Sequence, residues 1–134
     1  LLRDQRKRPY KKHIADVRDI VQGCVDAFDK EAAHGEVIQL AGPEPFRWDE
    51  IIPYLSEKLY IPYIDVLSKG VPTHYEFDLS KARRLIGFAP AYAPLCMIDD
   101  ALRVRQGENI GVLSTDYSLF DPFKMRHRNR DRPT

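Results

Sequence analysis

The sequence predicts a small α+β lobe: a few short strands packed with about four helices, and no complete doubly wound sheet. Three observations predict it. The chain has 134 residues, 43% hydrophobic and 31% charged, which is the composition of one globular domain rather than a disordered segment. Helical and extended patterns alternate at first and then end in two consecutive helices. The extended stretches are short, and the seven glycines are scattered, with no Gly-rich turn after a strand.

The first element is a helix. From Ile14 the apolar residues fall at Val17, Ile20, Val21, Cys24, Val25 and Phe28, a stripe about 100° wide. Asp16 or Asp19 puts negative charge in its first turn, and Gly35 stops the segment. Glu36–Ala41 is rich in β-formers and reads as a strand closed by Gly42-Pro43. Trp48-Asp49-Glu50-Ile51-Ile52 opens a second helix, in which Pro53 should introduce a kink or mark a later start. Ile61–Leu67 is a second strand candidate, placed at an edge or starting after Pro62. His74–Asp78 reads as extended. Asp78 or Ser80 caps a helix that Gly87 ends, and Pro90 and Pro94 bracket a loop. Leu95–Arg105 is the last helix. This divides the chain into a lobe over residues 1–109 and an extended basic tail over 110–134, disordered at its end.

Net charge is +1, but it is unevenly spread. Residues 1–12 and 124–134 together hold eleven basic and two acidic residues, leaving ten basic and eighteen acidic residues between them. This argues against a globally basic nucleic-acid binder. No apolar run approaches the ~20 residues of a membrane helix. The two cysteines, Cys24 and Cys96, are too few for a disulfide scaffold, which suits a reducing, cytoplasmic setting. The opening LLRDQRKRPYKK lacks both an initiator Met and an apolar leader, and reads as the start of a piece of a longer protein.

The sequence holds no GxGxxG, GxxGxxG or GxxxxGK[ST], so this chain alone is not expected to hold a dinucleotide. Tyr54 and Lys58 form a Tyr-x-x-x-Lys, a spacing that can place a Tyr general acid beside a Lys. One helical turn produces that spacing by chance, and the pair reads as an ordinary amphipathic helix, with no catalytic residue assigned. The four histidines lack partners at metal-ligand spacing, so no metal site is expected. Cys24 lies on the apolar stripe and reads as a buried structural thiol; Cys96 is the more exposed. Among the cations, Arg8, Lys12, Lys69 and Arg83-Arg84 lie near loop openings and as a group suit an anionic ligand.

Three phrases, in order, carry a resemblance. Arg8-Pro9-Tyr10-Lys11-Lys12-His13-Ile14-Ala15-Asp16-Val17 resembles "Arg-x-Tyr/Phe-x-x-(His)-Val-x-Asp-Val". Gly35-Glu36-Val37-Ile38-Gln39-Leu40-Ala41-Gly42, followed by Trp48-Asp49-Glu50-Ile51, resembles "Gly-x-Val-Tyr-Asn-Leu-Gly, then Ser/Thr-x-x-Glu-Leu". Asp78-Leu79-Ser80-Lys81-Ala82-Arg83-Arg84-Leu85-Ile86-Gly87-Phe88-Ala89-Pro90 resembles "Asp-x-Ser-Lys-Ala-Arg-x-x-Leu-Gly-Trp/Phe-x-Pro". These are phrases of the extended short-chain dehydrogenases/reductases, the NAD-dependent epimerase/dehydratase family that acts on nucleotide sugars. The match covers about residues 8–107.

The resemblance implies the C-terminal, substrate-binding part of such an enzyme, lacking the Rossmann sheet. The missing N-terminal Rossmann domain would supply the catalytic Tyr and Lys and the NAD or NADP pocket. The chain alone would then be inactive and hold no cofactor. By the same resemblance, Arg8, Lys69 and Arg83 would meet the diphosphate of a nucleotide sugar. A lobe parted from its partner domain should leave the Ile14–Phe28 or Leu95–Val104 helix with too little apolar cover, which favours self-association. The alternatives are a non-enzymatic module that contacts nucleic acid or a protein through its basic termini, and a degenerate homologue with a structural role.

Overall fold

A computed structural model describes residues 1–69 and 73–112. Strand β1 (Leu2–Arg3) pairs in parallel with β4 (Val66–Leu67), Leu2 opposite Val66. Strand β2 (Lys11–Lys12) pairs antiparallel with β3 (Phe46–Arg47), Lys11 opposite Arg47. A bridge joins Lys11 to His74, so the 73–78 segment runs beside β2.

Helix α1 (Val17–Phe28) begins at Asp16, whose carboxylate accepts the Arg18 N–H at 2.9 Å from an extended backbone. A 3₁₀ turn over Glu31–Ala33 follows. Helix α2 (Trp48–Leu59) continues directly from β3 with Asp49 and Glu50 in its first turn. It runs through Pro53, which has no N–H to return to Asp49, and ends at Tyr60 in the left-handed conformation. Helix α3 (Ser80–Ile86) is held at its start by Asp78, which accepts from both the backbone N–H and the hydroxyl of Ser80, and Gly87 closes it. Helix α4 (Pro94–Arg105) starts with Pro94 in its first turn, where the missing N–H costs nothing.

The core is small: Ala41, Leu79, Ala82, Ile86 and Phe88, with Ala27, Ala33, Ile38, Leu40 and Leu85 partly buried around it. Helix α1 meets it through Gly23. A Cβ there would lie 2.8 Å from Leu40 Cδ1 and 3.0 Å from the Phe88 ring. The inward face of α1 is therefore Asp19, Gly23 and Ala27, spaced one turn apart.

The apolar stripe of this helix has too little cover, in line with one of the expectations, and only the reading of Cys24 is corrected. Val17, Val21, Val25 and Phe28 point outward, Phe28 at 82% exposure. Cys24 shares their face and is an exposed thiol, not a buried one. A small face could approach the core more closely than the branched one, so burial went to Gly23 and Ala27.

Two strand expectations also change. Glu36–Ala41 forms no strand. Ile38 and Leu40 turn inward while Val37 stands 88% exposed, so the alternation of a strand is present. Among the described residues no neighbouring strand completes a ladder, and Lys81 Nζ caps the Val37 carbonyl at 2.8 Å. The Ile61–Leu67 candidate reduces to Val66–Leu67, starting well after Pro62. The tail expected over 110–134 lies, from residue 113 on, outside the described residues. No helix among the described residues is long and apolar enough to cross a membrane.

Polar groups fasten α4 and the 89–93 loop to the start of α1. Arg18 donates to Asp16 at 2.8 and 2.9 Å and to Asp100 at 2.7 Å, and its guanidinium lies 3.5 Å from the centre of the Tyr92 ring. Asp100 also accepts from Arg103 at 2.9 Å. The hydrogen-bonded Arg18 holds the Asp16 carboxyl below its ordinary 3.8, against the opposing effect of burial.

Candidate functional site

His13 is the best-defined polar group at a concave surface. It leaves β2 and is buried, with Nε2 2.9 Å from the Gly42 carbonyl and Nδ1 accepting the Phe77 N–H at 3.0 Å. Because Nδ1 accepts, the proton sits on Nε2 and is donated to Gly42. The ring also stacks on Phe77, with centroids 5.8 Å apart. These bonds fix the walls of a cavity of about 370 Å³ lined by His13, Pro43, Glu76, Phe77, Asp78, Leu79 and Arg83.

The cavity mixes charges. Arg83 projects from α3 and makes no side-chain hydrogen bond or salt bridge to the described residues. Lys11 pairs with Glu76 and holds that carboxyl below its ordinary 4.5. The Asp78 carboxyl lies below its ordinary 3.8 because it accepts from the backbone and hydroxyl of Ser80. The site can donate from a guanidinium and accept at two carboxylates, which suits a ligand carrying hydroxyls beside an anionic group.

The other two cations expected at a site lie elsewhere. Arg8 donates to Asp4 at 2.8 Å in a turn beside β1. Lys69 is exposed just past β4, near the same end, where the Ser68 N–H donates to the Arg3 carbonyl at 2.7 Å. The structure brings Arg8 and Lys69 toward one edge and sets Arg83 in the His13 cavity. Reading the sequence did not single out His13 for this place, although its position after a basic strand and before a capped helix could have suggested it.

Tyr54 and Lys58 lie one turn apart on α2 and face α4. The Tyr54 hydroxyl is 2.6 and 2.7 Å from the Asp99 carboxylate oxygens, and Lys58 Nζ is 3.3 Å from Asp99. The hydrogen bond to Asp99 raises the Tyr54 hydroxyl above its ordinary 10.0, despite the opposing Lys58. A Tyr that donates a proton in catalysis beside a Lys needs the opposite shift. The pair acts as a tether between α2 and α4. In a spectrophotometric titration, the difference between the wild type and Tyr54→Phe should show one phenol that ionises above 10.0. A phenol ionising near neutrality would make the pair a candidate acid–base couple.

Around α1, a groove of about 310 Å³ is lined by Gly23, Cys24, Ala27, Phe28, Ile38 and Leu40 among others. Among the described residues no group of three His, Cys, Asp or Glu side chains is arranged to hold a metal ion.

No protein-family model and no curated protein matches the chain. Solved structures do. A short-chain dehydrogenase/reductase superfamily protein from Agrobacterium tumefaciens, with bound NAD, is 27% identical at a TM-score of 0.74, over 80% of this chain and 33% of that one. The UDP-glucuronic acid 4-epimerase from Bacillus cereus, in complex with UDP-glucuronic acid and NAD, is 21% identical at 0.61, over 81% of this chain and 36% of that one. The same epimerase in complex with NAD is 21% identical at 0.54, over 69% and 29%. The chain thus shares its fold with part of these proteins and spans about a third of their length.

Proposed function

We propose that this chain is the nucleotide-sugar-binding, C-terminal part of an NAD(P)-dependent epimerase or dehydratase of the short-chain dehydrogenase/reductase superfamily, inactive by itself. The observation that carries this reading is the likeness to the Agrobacterium protein over 80% of the chain, joined to the three phrases in their order. The outward apolar face of α1 and the unladdered Glu36–Ala41 segment agree with it: both are surfaces that a second domain would cover. In the isolated chain they favour self-association.

In this reading the chain contributes binding and orientation. Arg83 meets an anionic group of the ligand, Asp78 and Glu76 accept hydroxyls, and Arg8 and Lys69 supply positive potential from the β1 edge. NAD or NADP, held by the remainder of the parent, supplies hydride transfer. Lacking the second wall of the cleft, the chain binds weakly, because a few polar contacts barely exceed the cost of association.

Titration of the ¹⁵N-labelled chain with UDP-glucuronic acid tests the reading. The expected result is saturable shifts at Phe77, Asp78 and Arg83 with millimolar affinity, lost in Arg83→Ala. Tight binding, or shifts confined to other surfaces, would contradict it.

A further inference from the structure

Taking its ligand from that reading, we propose that His13 is a proton-operated latch on the cavity it lines. With Nδ1 unprotonated, the ring holds the 76–78 wall in place for the ligand; a second proton on the ring releases that wall.

The 73–79 segment is fastened at its two ends. At its start the Lys11 N–H donates to the Thr73 carbonyl at 3.0 Å and the Tyr75 N–H donates to the Lys11 carbonyl at 3.3 Å, which ties that end to β2. At its far end Leu79 is 3% exposed in the core. Between them Glu76, Phe77 and Asp78 line the cavity. Of the backbone N–H groups of these three residues, only that of Phe77 is bonded to a described residue, and its acceptor is His13 Nδ1 at 3.0 Å.

A charged ring cannot keep that bond. His13 is 6% exposed and stacked on Phe77, and its Nε2 already donates to the Gly42 carbonyl at 2.9 Å. An imidazolium carries a hydrogen on both nitrogens. Nδ1–H would face the Phe77 N–H, donor against donor, and turning the ring over presents the other N–H to the same amide.

The new charge also has partners close by. Glu76 and Asp78 share the cavity with His13, and Glu76 lies within electrostatic reach of the ring. The other charged or titratable groups of the surrounding elements are Lys11 and Lys12 on its own strand, His74 beside that strand, Arg83 on α3, and Glu44 past Pro43. An imidazolium drawn to Glu76 or Asp78 takes from the ligand an acceptor that the neutral site offers. Lys11 and Ser80 hold those two carboxyls below their ordinary 4.5 and 3.8, so a change seen above pH 4.5 does not come from them.

The test is NMR of the ¹⁵N-labelled chain, titrated downward from neutral pH to 4.5 without ligand and then with UDP-glucuronic acid. As the His13 ring nitrogens show the second proton arriving, the Phe77 amide signal should move in step. Its hydrogen exchange, corrected for the pH dependence of exchange itself, should quicken about tenfold while the α1 signals stay in place. Affinity for UDP-glucuronic acid should fall about tenfold over the same range. His13→Asn puts Oδ1, an acceptor that does not titrate, where Nδ1 stood, and both changes should vanish; His74→Gln should leave both intact. A Phe77 step in a chain that binds no UDP-glucuronic acid at any pH supports the latch and contradicts the ligand reading. The latch is overturned by a His13 ring that takes no second proton down to pH 4.5, or by a Phe77 amide that does not follow the ring. It is equally overturned by the same step in His13→Asn, by its loss in His74→Gln, by α1 signals that collapse together with that of Phe77, or by affinity that rises in acid, which would make His13 an anion contact.

Discussion

Replacing Asp19 with alanine is expected to lower stability by about 2–4 kcal/mol, one of the two largest losses expected of a single substitution here. Asp19 is 4% exposed in the first turn of α1, and its two oxygens accept the backbone N–H groups of Ala91 and Tyr92 at 2.8 and 3.1 Å. Alanine would leave both donors without partners at a packed surface. Each such loss costs about 1–3 kcal/mol. The negative charge also complements the α1 N-terminus, by a further ~0.5 kcal/mol. Asn at this position keeps one acceptor and should lose less. Urea unfolding followed by fluorescence of Trp48, the single tryptophan, measures both variants. A loss below ~0.5 kcal/mol for Asp19→Ala would show that the 89–93 loop is held by other means.

Gly42→Ala should cost a comparable ~2–3 kcal/mol, for a steric reason. A Cβ at Gly42 would lie 2.8 Å from the Ile14 carbonyl oxygen, and that oxygen accepts the Gly42 N–H at 2.8 Å. The backbone at Ile14 cannot retreat without losing this bond and disturbing His13, whose Nε2 donates to the Gly42 carbonyl. At Gly23 the obstructing atoms belong to the Leu40 and Phe88 side chains, which can shift, so Gly23→Ala should cost less. Thermal unfolding of the two variants side by side checks the order. Gly42→Ala unfolding at or above the temperature of Gly23→Ala would contradict the account.

Helices α1, α3 and α4 were legible in the sequence because each carries its own punctuation, and α2 by the acids of its first turn. Asp16, Asp78, Gly87 and Pro94 act where local chemistry says they should. The strands were less legible because a strand requires a neighbour. Glu36–Ala41 has the residues and the alternation, yet no partner among the described residues. The packed face of α1 is hidden for a related reason. The apolar stripe marks the face with too little cover, whereas the packed face is the one with Gly23 and the buried Asp19, and no periodicity of apolar residues reveals a contact made through glycine. At the candidate site, Arg83 was legible as a cation after a capped turn. The role of His13 depends on the Gly42 carbonyl and the Phe77 amide, which come from distant parts of the chain.

The central claim is that this lobe presents the outward face of α1 to another body of protein, and the double variant Val21→Glu/Val25→Lys tests it most directly. Both residues are more than half exposed, and the new pair has the favourable i,i+4 order on a helix. Sedimentation equilibrium over a range of concentrations, with unfolding measured in parallel, is the measurement. The expected result is a wild type that associates as concentration rises and a variant that stays monomeric with an unchanged unfolding midpoint. A wild type that remains monomeric throughout, or a variant that unfolds because the face is buried within the lobe itself, would contradict the account.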